Sequence, residues 1–396
     1  MAGSPTDHGR WTALAVLTVA RTAMGFQFQS VGAVSPLLID QLHISNADLG
    51  WLIGLFSLPG IFFSLPGGLF GTRFGDRRVV LTGLALMAAG SALMGVAEGF
   101  AMVAIGRTIS ATGAILLNVL LTKMLTDWFA GREMIWAMTI LINAWPAGIV
   151  LALLVLPAVA GTWSLGAVFY VAAAMAALGA VGVALGYRAP AGAAAPSRTV
   201  RLSVLSRRER SLVTVASLPW MLYNVGFAVM LGFLPSLLVR GGFSVARAGL
   251  LLGVTTLLFI GSVLLGGAAA QWLARQETVV AIGLLVYAAA LATLPYAPPW
   301  PMLLTIGVLG GLPAGALAAA PTGVLRPASR SVGLGLFYTM YYLGMALLPP
   351  VAGRLQDAHG RSAAVYFAAV AMLATLPCYL AFRSLASSSK EVAREA

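Results

Sequence analysis

WTALAVLTVARTAMGFQFQSVGAVSP, residues 11–36, follows Arg10 and carries a single charge, Arg21. A basic residue ahead of an apolar run also opens a secretory signal, but the apolar part of a signal ends after about 7–15 residues. This run continues past Arg21 to Pro36. At ~1.5 Å per residue it can cross a hydrocarbon core of about 30 Å, so it reads as a retained first transmembrane helix.

Outward from that stretch the same pattern repeats. Of 396 residues, 60% are hydrophobic and 9% charged, against roughly 25% charged in soluble domains. Dividing 396 by twelve leaves 33 residues per unit, enough for a spanning helix of ~20 residues and a short loop. The 45 glycines and 20 prolines suit a membrane bundle, where small residues let backbones approach and neighbours satisfy freed carbonyls. The expected fold class is all-α integral membrane. Apolar stretches place twelve spans near 11–38, 49–71, 78–97, 99–124, 133–158, 163–187, 212–239, 247–273, 278–296, 301–325, 331–353 and 363–383.

An even number of spans returns the chain to its starting side. Eighteen of the 24 Lys and Arg residues then fall in segments on that side, and only Arg240, Arg247, Arg354 and Arg361 fall in loops opposite. By the positive-inside rule both termini are cytoplasmic, and the expected location is a bacterial inner membrane. The net charge of +12 thus follows from topology, and no nucleic-acid partner is expected. Cys378, the sole cysteine, excludes an internal disulfide and a cysteine metal cluster. His8, His43 and His359 are read as loop residues, which removes a buried histidine relay or metal site, and no cofactor is expected.

Residues 188–211, rich in Ala, Pro, Gly and Ser and holding seven charges, form a basic cytoplasmic linker. It separates an N-terminal half, 1–187, from a C-terminal half, 212–396, that ends in a short cytoplasmic tail. A displacement of 199 residues aligns Gly67-Gly68 with Gly266-Gly267, Pro36 with Pro235 and Phe28 with Phe227. Several matches at one offset, with matching hydropathy, indicate two homologous six-helix halves.

Over its whole length the chain now resembles the major facilitator superfamily of secondary transporters. The loop after the second span, from Gly68 through Arg73, Gly75, Asp76 and Arg77 to Arg78, is similar to that family's signature of Gly, then Asp-Arg, then Gly and basic residues. The resemblance implies a gating loop. Thr72 stands where the family usually places Asp, which leaves Asp76 as the available replacement. A second stretch, Asp127-Trp128-Phe129-Ala130-Gly131-Arg132-Glu133, entering the fifth span, looks like the Trp-Phe and Arg-Glu pattern of the anion-transporting branches, the nitrate/nitrite, cyanate and organic-anion permeases.

Two charges lie at membrane depth. Arg21 is about ten residues into the first span, and Arg107 about eight residues into the fourth. A charge at the bilayer centre costs ~2.5–3.5 kcal/mol on insertion scales and normally faces a cavity or a partner. None of the twelve acidic residues falls inside a predicted span. An anionic substrate would supply the opposite charge, because a guanidinium fork matches carboxylate or oxyanion oxygens. The bland reading is that backbone carbonyls and amides hold each arginine.

Helical phase places Gly25, Phe28 and Gly32, with Gln29 and Ser35 at the margin, on the face of Arg21. The face of Arg107 carries Ser110, Ala111, Ala114 and Asn118. The 199-residue offset sets Trp220 against Arg21, Asn224 against Gly25 and Tyr342 against Asn143, with Tyr338 one turn before Tyr342. These are the candidate substrate-binding residues: Arg21, Phe28, Gln29, Arg107, Asn118, Asn143, Trp220, Asn224, Tyr338 and Tyr342. Gly307, Gly311 and Gly315, four residues apart, read as a close-packing seam.

The leading expectation is a secondary transporter, acting as a monomer, that moves a small anion by rocker-switch alternating access. The alternative is a proton-driven multidrug or metabolite exporter, which needs a membrane carboxylate or histidine that the predicted spans lack. An intramembrane enzyme would need a nucleophile with its base, or a metal triad, at the same depth. The serines there have no such company.

Overall fold

The computed structural model describes residues 5–64, 71, 73–129, 133–190, 205–272, 275–326 and 329–395; among them every regular element is helical. Hydropathy predicts an unbroken first span, but the chain breaks it. Helix α1 (Pro5–Gln29) ends before Ser30, a 3-10 turn occupies Gly32–Val34, and α2 (Ser35–Leu42) resumes with Pro36 in its first turn. A proline there lacks an N–H that would be unpaired anyway, which is why the break falls just ahead of it. The second span divides in the same way into α3 (Asn46–Leu55) and α4 (Leu58–Phe63), with Pro59 opening the latter.

The next helices run longer than their apolar cores: α5 (Asp76–Gly95), α6 (Phe100–Phe129), α7 (Met134–Thr162), α8 (Leu165–Gly186), α9 (Arg207–Arg240), α10 (Val245–Trp272) and α11 (Gln276–Thr293). The tenth predicted span is two helices, α12 (Pro299–Leu309) and α13 (Ala314–Ala319), the second prolonged by a 3-10 turn at Ala320–Gly323. They meet at 43°. Pro313 sits at that break, where Tyr223 donates to the carbonyl of Gly310 at 2.7 Å and the N–H of Gly311 donates to Ser262 Oγ at 3.1 Å. Helices α14 (Arg330–His359) and α15 (Ala363–Glu395) complete the chain.

By length and composition, ten helices among the described residues can cross a membrane, and eleven if the bent pair is one span. Helix α1, which carries Arg21, Gln27 and Gln29, is outside that number.

Two compact units divide the chain. One holds Met1–Ile44, Leu55–Thr199 and Ser244–Gly253, the other Ser45–Gly54, Val200–Phe243 and Val254–Ala396. In the first, α1 packs on α7 and α8, and α5 on α6 and α8; in the second, α9 packs on α14 and α15, and α11 on α12 and α15. The same set of pairings therefore recurs about 199 residues on. Leu17, Ala20 and Met24 of α1, Leu84 and Met87 of α5, and Leu117, Leu121 and Met124 of α6 form the first unit's core. Glycines bring α5 and α6 into backbone contact, since a Cβ on Gly113 would collide with the carbonyl of Gly83 and one on Gly90 with that of Gly106. Gly307 and Gly311 likewise lie against the carbonyls of Thr255 and Phe259 on α10. Gly315 has nothing within 4 Å of its Cβ position, so the seam read from the sequence stops one glycine short.

Candidate substrate-binding site

In the first unit the candidate site is built from one face of α1 and one of α6. Arg21, half-buried, donates from Nη1 to Asn118 Oδ1 at 3.1 Å, so two residues singled out separately in the sequence meet. Asn118 is a neutral acceptor that fixes one arm of the guanidinium fork.

Arg107 is placed differently. Only 1% exposed, it donates from Nη1 to the carbonyl of Gln27 at 2.6 Å and from Nη2 to that of Phe28 at 2.7 Å, and its guanidinium lies 4.6 Å from the Phe56 ring centroid. These carbonyls close α1, where helix geometry leaves the last carbonyls without intrahelical donors. Arg107 thus supplies the cap that the Ser30 break demands, with charge-assisted bonds of the stronger kind. Ser110, on the same face, accepts from Gln27 Nε2 at 2.6 Å, and Ser91 of α5 also bonds that amide. The small and polar face of α6, expected to line open space, packs instead on α1.

Gly25 also differs from expectation. A Cβ there would collide with the carbonyl of Trp145 on α7, and one on Gly148 with the carbonyl of Thr22, so Gly25 serves helix contact. Phe28 is half-buried in an aromatic group with Phe56 and Trp145, each at 5.4 Å between centroids. Gln29 is 2% exposed, and Asn143 Nδ2 donates back to the carbonyl of Thr139 at 2.9 Å.

In the second unit, Asn224 Nδ2 donates to the carbonyl of Trp220 at 2.8 Å, the same back-bond as at Asn143. Trp220 stacks within 6.5 Å of Tyr223, Phe337 and Tyr341. Tyr338 is 40% exposed and Tyr342 buried, each with its ring against Tyr341. Where the first unit presents an arginine and amides, the second presents rings.

Of the gating loop, Gly68 and Thr72 lie outside the described residues. Arg73 is exposed beside Phe74. Gly75 has φ +86°, a backbone conformation that favours glycine, and turns the chain into α5. Asp76 pairs with Lys123 of α6, which lies 4.0 Å from Asp127, and Arg77 donates to the carbonyl of Ala184. Burial and the carboxylates of Asp127 and Asp76 raise the pKa of the Tyr187 phenol beside this cluster. Asp127, Trp128 and Phe129, read as entering the fifth span, instead end α6. His8 and His359 belong to the first turn of α1 and the last of α14 rather than to loops. Among the described residues no group of side chains could hold a metal ion.

Sequence reasoning missed Gln27, which points away from the Arg21 face, and Phe56, an apolar residue without helical phase at a break. It also missed the carboxylate of Glu209, 5% exposed, which accepts from Arg326 Nε at 3.0 Å, Arg326 Nη2 at 2.8 Å, Ser329 Oγ at 2.5 Å and the N–H of Ser206 at 2.9 Å. Glu209 in turn raises the pKa of Arg326. The capping pattern of Ser206 and Glu209 three residues apart was the available signal.

A family model described as Major Facilitator Superfamily matches residues 17–349. The inner membrane transport protein YajR of Escherichia coli K12 is 27% identical over 135 residues, 34% of this chain and 29% of that protein. Multidrug resistance protein 1 of Bacillus subtilis is 24% identical over 114 residues, 28% of this chain and 29% of that one. The chain thus spans under a third of the length of these curated relatives. Among solved structures, a bacterial homolog of the human lysosomal transporter Spinster, inward-facing and occupied, superposes with a TM-score of 0.77 at 16% identity, covering 98% of each chain.

Proposed function

Because the chain belongs to the Major Facilitator Superfamily, and so is a multi-pass secondary transporter rather than an enzyme, we propose that its cargo is a small anion: an inorganic oxyanion, a cyanate-like ion or a small carboxylate. Transport proceeds by rocker-switch alternating access of the halves 1–187 and 212–396, joined by the 188–211 linker, in a monomer with both termini in the cytoplasm. Arg21 is the electrostatic anchor.

The observation that carries this reading is where charge lies along the helices. Arg21 stands inside a span and bonds a neutral amide, Asn118. The acidic residues of the described helices lie near helix ends: Asp7 opens α1, Asp40 lies in the last turn of α2, Asp48 opens α3, Asp76 opens α5, Asp127 ends α6, Glu209 opens α9, Glu277 opens α11, Asp357 ends α14, and Glu391 and Glu395 end α15. A planar guanidinium carries five N–H donors in a fork that matches a two-oxygen ligand. Arg107, engaged by α1 carbonyls, braces the break beside the site, and Phe28, Gln29, Asn143, Trp220, Asn224, Tyr338 and Tyr342 remain candidate lining.

A second reading, a proton-driven exporter of drugs or metabolites, is favoured by the local similarity to Multidrug resistance protein 1 and by the ring-rich face of Trp220, Tyr338 and Tyr342. It needs a titratable carboxylate or histidine at mid-span, where the described residues place none. Thermal shift of the purified protein against nitrate, cyanate and small carboxylates at constant ionic strength separates the two. A ligand at 100 times its Kd stabilises the fold by about 2.7 kcal/mol. A rise in Tm with an anion, and none with lipophilic cations, is expected; the reverse pattern sinks the anion reading.

A further inference from the structure

At the end of the second unit that holds α3, the first helix turn is gripped from α14. Asp357 accepts from the N–H of Asn46 at 3.0 Å, Asn46 Nδ2 at 2.7 Å and the N–H of Ala47 at 2.9 Å, while Gln356 Nε2 donates to Asn46 Oδ1 at 2.8 Å. Ser45 Oγ takes the N–H of Asp48 at 3.1 Å. The first three N–H groups of α3 are therefore all paired, two of them by a carboxylate 310 residues away. A negative charge on the N-terminal N–H groups of a helix is favoured by hydrogen bonding and by the helix dipole.

Beneath this contact the two helices touch backbone to backbone. A Cβ on Gly50 would collide with the carbonyl of Pro349, one on Gly54 with that of Ala346, and one on Gly353 with that of Asn46. Positions 46, 50 and 54 make one stripe of α3 at a four-residue interval. Pro350 has no N–H to offer Ala346 four residues earlier, so the carbonyl resting on Gly54 is one that its own helix leaves free. At these three glycines the contact is made by backbone rather than by side chains.

We infer that Asp357 is the latch of a gate at this end of the transporter: it holds the α3–α14 seam shut and releases the α3 N-terminus when the seam opens. The inference rests on the alternating-access reading. Burial separates the latch from a brace. Glu209 is also a carboxylate that joins distant segments, but it is itself only 5% exposed and accepts from the fully buried Ser329, so its release would leave a buried carboxylate without its donors. Asp357 and Ser45 are exposed. Water replaces their bonds at small net cost, so this contact is reversible where the other is not.

The test uses the full chain in detergent with Cys378→Ser, and Leu49→Cys as reporter, since Leu49 is fully buried on α3. A maleimide labels that thiol only when the seam parts. Asp357→Ala is expected to raise the labelling rate on the order of tenfold, the scale of a lost charge–dipole contact. Asp357→Asn, which keeps the size and one acceptor oxygen, gives an intermediate rate and serves if the alanine variant does not fold. Leu17→Cys, fully buried on α1, reports general unfolding and should label at an unchanged rate. An unchanged rate at position 49, or an equal rise at position 17, overturns the latch. Labelling needs no substrate, so failure of the anion reading leaves this result standing.

Discussion

Two arginines at similar depth take different roles because of what their partners are. Arg21 meets a side-chain amide; Arg107 meets main-chain carbonyls that a broken helix leaves open. Arg21→Lys keeps the charge but loses the planar fork, and Arg21→Gln loses the charge as well. Removing a charge-assisted contact of ~1.5–3 kcal/mol should weaken anion binding on the order of 10- to 100-fold. Affinity by thermal shift should fall from wild type to Lys to Gln with Tm in the absence of ligand held; a folded Gln variant with wild-type affinity would eliminate the anchor. Arg107→Gln is a stability variant. It leaves at least one of the Gln27 and Phe28 carbonyls without its donor, at a cost of about 1–3 kcal/mol, and should lower Tm before it alters affinity. The sequence distinguishes these two residues poorly. Both are lone arginines among small residues, and helical phase says which residues share a face but not whether that face meets a neighbouring helix or open space.

At the scale of elements, hydropathy finds the spans, because a long apolar run is a property of local sequence. It misses their breaks at Ser30, Phe56 and Gly310–Pro313, each just ahead of a proline. Apolarity does not change across a proline, whereas backbone hydrogen bonding does. Polar tips extend α9, α14 and α15 beyond their apolar cores for the same reason: helices continue into the interface, where hydropathy ends. Glycine spacing is legible only in part, since Gly307 and Gly311 meet a carbonyl and Gly315 meets nothing. That difference is measurable. Gly113→Val, forced against the carbonyl of Gly83, should separate α5 from α6 at a cost of roughly 1–3 kcal/mol or more. Gly315→Ala, with free space and helical backbone, should leave Tm unchanged or raise it by the ~0.5–1 kcal/mol that alanine gains over glycine in a helix. Equal losses at both positions would mean that the glycines act through the unfolded chain rather than through helix contact.

For the whole molecule, the 199-residue repeat reappears in packing, and its charged ties recur in altered form. Arg10 pairs with Glu133 at 3.1 Å in the first unit; in the second, the equivalent of Arg10 is Glu209, paired with Arg326. Arg77 reaches the carbonyl of Ala184, and Glu277 pairs with Arg383 at 3.0 Å where α11 meets α15. At the 199-residue offset Arg10 falls on Glu209 and Ala184 on Arg383, so one member of each tie keeps its place while its partner and charge change. Among the described residues both halves keep the carboxylates of their helices near helix ends, and that distribution bears on coupling. A carrier that moves a proton must hold it on a group that reaches both aqueous sides through the membrane interior. In the described spans the polar groups away from helix ends are arginine, which stays charged at any physiological pH, the Cys378 thiol, and neutral amides, hydroxyls and rings. Transport of nitrate, fully ionised at every pH used, should therefore show a rate with no step between pH 5 and 8 and no accompanying proton flux in vesicles loaded with a pH indicator. A weak-acid substrate should instead follow its own ionisation. One proton carried per nitrate would place a titratable group within a span, contradict the assignment of acidic residues to helix ends, and bring the exporter reading forward.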